Sequence, residues 1–142
     1  MQNKESILEK KQYSFSDLYD IMRILRAPGG CPWDAEQTHQ SIRQNMLEEA
    51  YEACDAIDHE DFKGLRDELG DLLMQVIFHA QIAEDSDRFS LEDVTQEVCE
   101  KLIVRHPHVF GDVKVESSGE VLSNWETIKN LTKGMHTLKD TL

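Results

Sequence analysis

Apolar residues recur along this chain at intervals of three and four, and nowhere alternate with polar ones over the length of a strand. That period belongs to helices whose one side is apolar. Its clearest run predicts a helix from about Phe62 to Glu84, with Leu65, Leu69, Leu72, Val76 and Ala80 on one stripe. Such stripes must be covered by other helices, so the expected fold is all-α: a bundle of about five helices in a single domain. A core of this size is often extended by pairing with further copies of the chain.

Capping and breaking residues divide the chain. Residues 1–12 are polar and expected to fray. Ser14 or Ser16 caps a first helix through about Arg26, with Phe15, Leu18, Ile21, Met22 and Leu25 at helical spacing. Two prolines and two glycines between Ala27 and Asp34 force a loop. Asp34 with Gln37 has the pattern of a capping box opening a second helix, which runs to about Ile57. His59-Glu60-Asp61 turns the chain into the helix from Phe62, and Asp85-Ser86-Asp87 ends it. Ser90 and Asp93 cap a fourth helix, Leu91 to about Arg105, which His106-Pro107 terminates. Ser123 with Glu126 predicts a short last helix around Trp125 to Leu131. The folded domain is therefore expected over residues 13–132, with a mobile tail over 133–142.

The 142 residues carry a formal net charge of −13, which excludes a general basic surface for nucleic acid. Cations, or anions bridged by a metal, are the partners that suit it. The three scattered cysteines, Cys31, Cys54 and Cys99, form neither a disulfide framework nor a zinc ribbon. They read as small core residues with reduced thiols, as in a cytoplasmic protein. The N-terminus lacks a signal peptide's apolar run, and no stretch reaches the roughly 18 apolar residues of a membrane span.

The acidic residues are not evenly spread. Between Ile42 and Asp61 there are seven acids and one base, Arg43. At about 100° per residue, Met46, Ala50, Ala53 and Ile57 share a side with Ile42. Leu47, Tyr51 and Cys54 widen that apolar arc, while Glu48, Glu49 and Glu52 gather opposite it. On the next helix Glu68 and Asp71 are surface neighbours. A solvated acidic face accounts for each position but not for the lack of compensating bases. Glu48 and Glu52 repel one another at i,i+4 spacing, where a helix with a purely structural role alternates its signs. A hard divalent cation such as Mg²⁺, which takes carboxylate oxygens and keeps sites for phosphate, would turn the repulsion into coordination.

Glu48-Glu49-x-x-Glu52, fifteen intervening residues, and Glu68-x-x-Asp71 resemble the signature of the MazG family of nucleoside triphosphate pyrophosphohydrolases. Three further blocks agree in order. They are Gly30-Cys31-Pro32-Trp33-Asp34-x-Glu36-Gln37-Thr38, Arg105-His106-Pro107-His108-Val109-Phe110 and Asn124-Trp125-Glu126-x-Ile128-Lys129. The resemblance covers roughly residues 15 to 132. It implies an all-α fold assembled as a dimer or larger, acting on nucleoside triphosphates between the α- and β-phosphates. It also implies that Glu49, Glu52, Glu68 and Asp71 match ligands of Mg²⁺, for which Mn²⁺ can substitute. Glu48 stands alongside with Glu49 and Glu52 in the catalytic group. Many members carry two such domains in one chain; this chain has one.

The remaining candidates each have a plain reading. Lys101 and Arg105, one helical turn apart, are either a surface pair or the holders of the β- and γ-phosphates, as the resemblance implies. Trp125, with Lys129 one turn on, is either packed or stacked on a base; Trp33 is the weaker candidate for that contact. His106 and His108 suit Mg²⁺ poorly, so their loop is expected to be anchored by Pro107, Val109 and Phe110. Two other functions stay open at this point: a helical module that binds nucleotide or protein without turnover, and a hydrolase specialised for one nucleotide.

Overall fold

The structure, a computed structural model, describes the backbone of residues 1–141 and the side chains of residues 1–131. Among the described residues there is no strand. Eight helices follow one another: α1 (Lys4–Glu9), α2 (Phe15–Arg26), α3 (Pro32–Glu36), α4 (Arg43–Asp58), α5 (Phe62–Asp85), α6 (Leu91–Val104), α7 (Pro107–Phe110) and α8 (Ser118–Thr141). They fall into two compact units, Met1–Leu91 and Glu92–Leu142. The expected mobile tail, 133–142, has its side chains outside the described residues.

In the first unit α2 opens on a capping box. Ser14 Oγ accepts the Asp17 amide at 3.2 Å, and Asp17 Oδ2 accepts the Ser14 amide at 2.8 Å. Asp17 is 1% exposed and also accepts from Lys10 and Gln2. The Ser14 amide first, then Lys10, hold its carboxyl well below the usual range. These bonds tie α1, whose Ile7 is buried, to α2, where the polar sequence suggested only a frayed end.

The second predicted helix proves to be two. Pro32 takes the first position of α3, where its missing N–H costs nothing. Asp34 therefore lies inside α3 and caps nothing. Arg26 Nη1 binds the carbonyls of Asp34 and Gln37 at 2.6 and 3.1 Å, holding the chain out of helix until Arg43. The bend before α3 needs its glycines: Gly29 sits at φ +86, and a Cβ on Gly30 would run into the carbonyls of Ile24 and Leu25.

The core gathers Met22, Ile42, Ile77, Phe78, Ala80, Ile82 and Leu91. It lies along the C-terminal half of α5, which packs against both α2 and α4. Toward the N-terminus of α5 burial falls off: of the predicted stripe Leu69 and Val76 are exposed, Leu65 and Leu72 half-buried, and only Ala80 buried, with Leu73 exposed beside them. On α4, Ile57 is likewise exposed. Cys54 and Cys99 are exposed and Cys31 half-buried, so these thiols are free but not core residues. In the second unit α8 begins seven residues before the predicted start at Trp125, with the Ser117 hydroxyl accepting the Glu120 amide. Val109 and Phe110 are both 63% exposed and do not anchor their turn.

Candidate metal centre

Helices α4 and α5 form a hairpin closed by Asp61, whose side chain accepts the Gly64 amide at 2.9 Å and caps α5. The turn before it passes through Glu60 at φ 53. Antiparallel packing then sets Glu49 of α4 opposite Glu68 and Asp71 of α5. One carboxylate oxygen from each lies within 4.8 Å of the others. Glu52 is within hydrogen-bonding reach of both Glu49 and Glu68. Glu48 is exposed on the adjoining side of α4.

The sequence pattern had set all three α4 glutamates opposite the apolar arc. Instead Glu49 shares the face of Ala53 and Ala56 that packs on α5, while Leu47, Tyr51 and Cys54 point to solvent. The carboxylates thus meet at the helix seam rather than on an open acidic face.

Crowding shows in their protonation. Contacts with Glu52 and then Glu49, with burial, push the Glu68 carboxyl up to about 7. Burial chiefly, with the charges of Glu52 and Asp71, raises Glu49, while the proton shared with Glu68 acts the other way. Glu49 Oε2 and Glu68 Oε2 are buried without any hydrogen-bond partner. Orphaned carboxylate oxygens in a half-buried seam, crowded enough to hold a proton between them, fit a hard divalent cation, which takes this donor set.

In the second unit Lys101 and Arg105 stand one turn apart at the end of α6, and among the described residues neither has a carboxylate partner. Arg105 Nε is buried and unbonded, as is Trp125 Nε1. The His106 ring lies 6.5 Å from Trp125, and Lys129 Nζ 5.3 Å over the same indole. Trp33, in the first unit, is 56% exposed. His106 and His108 contact each other and belong to no cluster of metal-ligating side chains among the described residues.

Two features escaped the sequence reading. His39 and His79 stack at 5.1 Å with their Nδ1 atoms 2.8 Å apart, and Gln75 is buried four residues before His79. The sequence carried no signal for the pair, because His39 precedes α4 in the non-helical stretch before Arg43 and the hairpin register does not reach it.

Residues 37–110 match the family model of the MazG nucleotide pyrophosphohydrolase domain, a span of more than half the chain that holds all five carboxylates. The chain belongs to the MazG family. Lys101 and Arg105 lie within the matched MazG span, and Trp125 and Lys129 beyond it. A Bacillus subtilis relative, the protein YabN, is 53% identical over 121 residues, covering 85% of this chain and 25% of that protein. The nucleoside triphosphate pyrophosphohydrolase of Escherichia coli is 54% identical over 113 residues, covering 79% of this chain and 43% of that one. The chain thus spans less than half the length of the curated relatives it matches. Among solved structures, the mazG-related protein from Thermotoga maritima has a TM-score of 0.68 at 27% identity, covering 81% of this chain and 98% of that one. No described helix of this MazG chain is long and apolar enough to cross a membrane.

Proposed function

We propose that the chain hydrolyses nucleoside triphosphates between the α- and β-phosphates, releasing the monophosphate and pyrophosphate, with Mg²⁺ as its metal and Mn²⁺ as a substitute. The observation that carries this reading is the meeting of Glu49, Glu68 and Asp71 within 4.8 Å, two of them with orphaned buried oxygens. Glu49, Glu52, Glu68 and Asp71 hold the cation. Bound there, it supplies charge neutralisation for the phosphate oxygens, without which a triphosphate would be repelled from an acidic seam.

The chain's own groups do the rest. Glu48, exposed beside the seam and outside the carboxylate contacts, accepts the proton of the attacking water. Lys101 and Arg105, without carboxylate partners among the described residues, pair with the β- and γ-phosphates. Trp125 offers its indole to the base, with Lys129 alongside. The chain works as a homodimer or larger assembly, which the exposed apolar stripe of α5 supports. Three free thiols suit the cytoplasm.

The test is pyrophosphate release from a panel of NTPs and dNTPs, with Mg²⁺ and with EDTA, for wild type and Glu52→Gln. The expected result is release that needs Mg²⁺ and falls at least about 100-fold in the variant. Folded wild type that releases pyrophosphate from no nucleotide would instead make this a binding module.

A further inference from the structure

We propose that Gln75 is a positioning residue of the carboxylate centre, its buried amide standing between Asp71 and the His39–His79 pair. The inference rests on the metal-binding reading of the carboxylates given above.

Gln75 is 4% exposed, and its Oε1 is buried without a partner. So is Nε2 of His79. Asp71, Gln75 and His79 follow at intervals of four on α5, so each stands one turn from the next on a single face. That face is turned to α4 at both ends: Asp71 joins Glu49 at one, and His79 meets His39, just before α4, at the other. The buried amide therefore lies between the carboxylates and the imidazoles, not elsewhere in the core. A leucine would fill the same space and leave no amide stranded, so packing alone does not account for glutamine here.

The hydrogen-bond chemistry gives the chain a direction. Two Nδ1 atoms 2.8 Å apart need one donor and one acceptor. Burial and the neighbouring His39 hold His79 below its ordinary value, favouring its neutral form. With His79 Nδ1 as the acceptor, its proton sits on Nε2, one turn from the orphaned Oε1 of Gln75. Gln75 Oε1, unpartnered as the structure stands, is the acceptor that His79 Nε2–H would reach, which leaves the amide Nε2 to donate toward Asp71 one turn in the other direction. A small torsional change or one buried water closes each gap. A carboxylate that accepts from a fixed amide has its other oxygen aimed, and loss of such outer partners weakens metal binding about 10–100-fold.

The experiment titrates Mn²⁺, without nucleotide, into the full chain by calorimetry, with thermal melting in parallel. The variants are Gln75→Leu, with Gln75→Met should the first fail to fold, and Gln81→Leu. Gln81 is the control: 3% exposed, its Oε1 also orphaned, but on another face of α5 and bonded to Asp85. The expected result is a Kd for Mn²⁺ weakened about 10–100-fold by the Gln75 substitution, at an unchanged or raised melting temperature, with Gln81→Leu leaving the Kd alone. A folded Gln75 variant that binds within about twofold of wild type overturns the proposal, as does equal weakening by Gln81→Leu. Wild type that binds no Mn²⁺ overturns the carboxylate reading itself, and this inference with it.

Discussion

At Glu68 the crowding of carboxylates has a consequence for the metal-free chain. Its carboxyl is raised from an ordinary 4.5 to about 7, so between those values the folded state binds a proton that the unfolded state has released. This contribution to stability is fully present below about pH 4.5 and is lost as pH rises through 7. Urea midpoints measured with EDTA should therefore fall between pH 5 and pH 8, and Mg²⁺ should flatten the fall by taking the proton's place. Glu49→Gln removes a competing charge. It should raise the metal-free midpoint at pH 8 while weakening Mn²⁺ binding at least about tenfold. Residue identities and spacing were enough to suspect this group. Its sharing of a proton was not legible, because that depends on which oxygens meet across two helices. The stranded amide of Gln75 was hidden for the same reason: a glutamine in a helical run looks like surface until its neighbours are known.

Helical elements were legible where a side chain closes its own local bond. Ser14 caps α2, and α5 runs from Phe62 to Asp85 almost as its periodicity suggested. The sequence misled where a distant residue decides. The break over 37–42 is held in part by Arg26, reaching from α2 to two carbonyls, besides the bonds that Thr38 and Ser41 exchange within it. The start of α8 was misplaced because Ser123 and Glu126 imitate a cap, while Ser117 carries the bond. The α4–α5 hairpin is the element on which the centre depends, and Asp61 closes it. Asp61→Ala should cost about 1 kcal/mol in urea denaturation, since the Gly64 amide loses its acceptor. Because Asp61 lies three turns from Asp71 along the chain's helix, Mn²⁺ affinity should change little in the same variant.

For the whole molecule, the predicted stripe of α5 is the informative misfit. Of that stripe Ala80 is buried and Leu65 and Leu72 are half-buried, but Leu69 and Val76 are exposed, and with Phe62 and Leu73 beside them they form an apolar row between 38% and 74% exposed. Side chains of this kind were expected in a core because their spacing marks a buried face, and periodicity cannot tell whether the covering partner is the same chain or another copy. An apolar stripe left open along half of a 24-residue helix is more than scattered surface hydrophobics. If a second copy covers it, opposing charge must break the assembly: Leu69→Glu with Leu73→Glu places like charges on both sides of a symmetric contact. Light scattering after gel filtration should then give about 16.4 kDa for the variant and at least twice that for wild type. The melting temperature of wild type should rise with protein concentration and that of the variant should not, since only an associating chain is stabilised by mass action. Mn²⁺ binding separates assembly from catalysis. Glu49, Glu52, Glu68 and Asp71 come from one hairpin, so the monomeric variant should still bind the ion even if nucleotide turnover is lost.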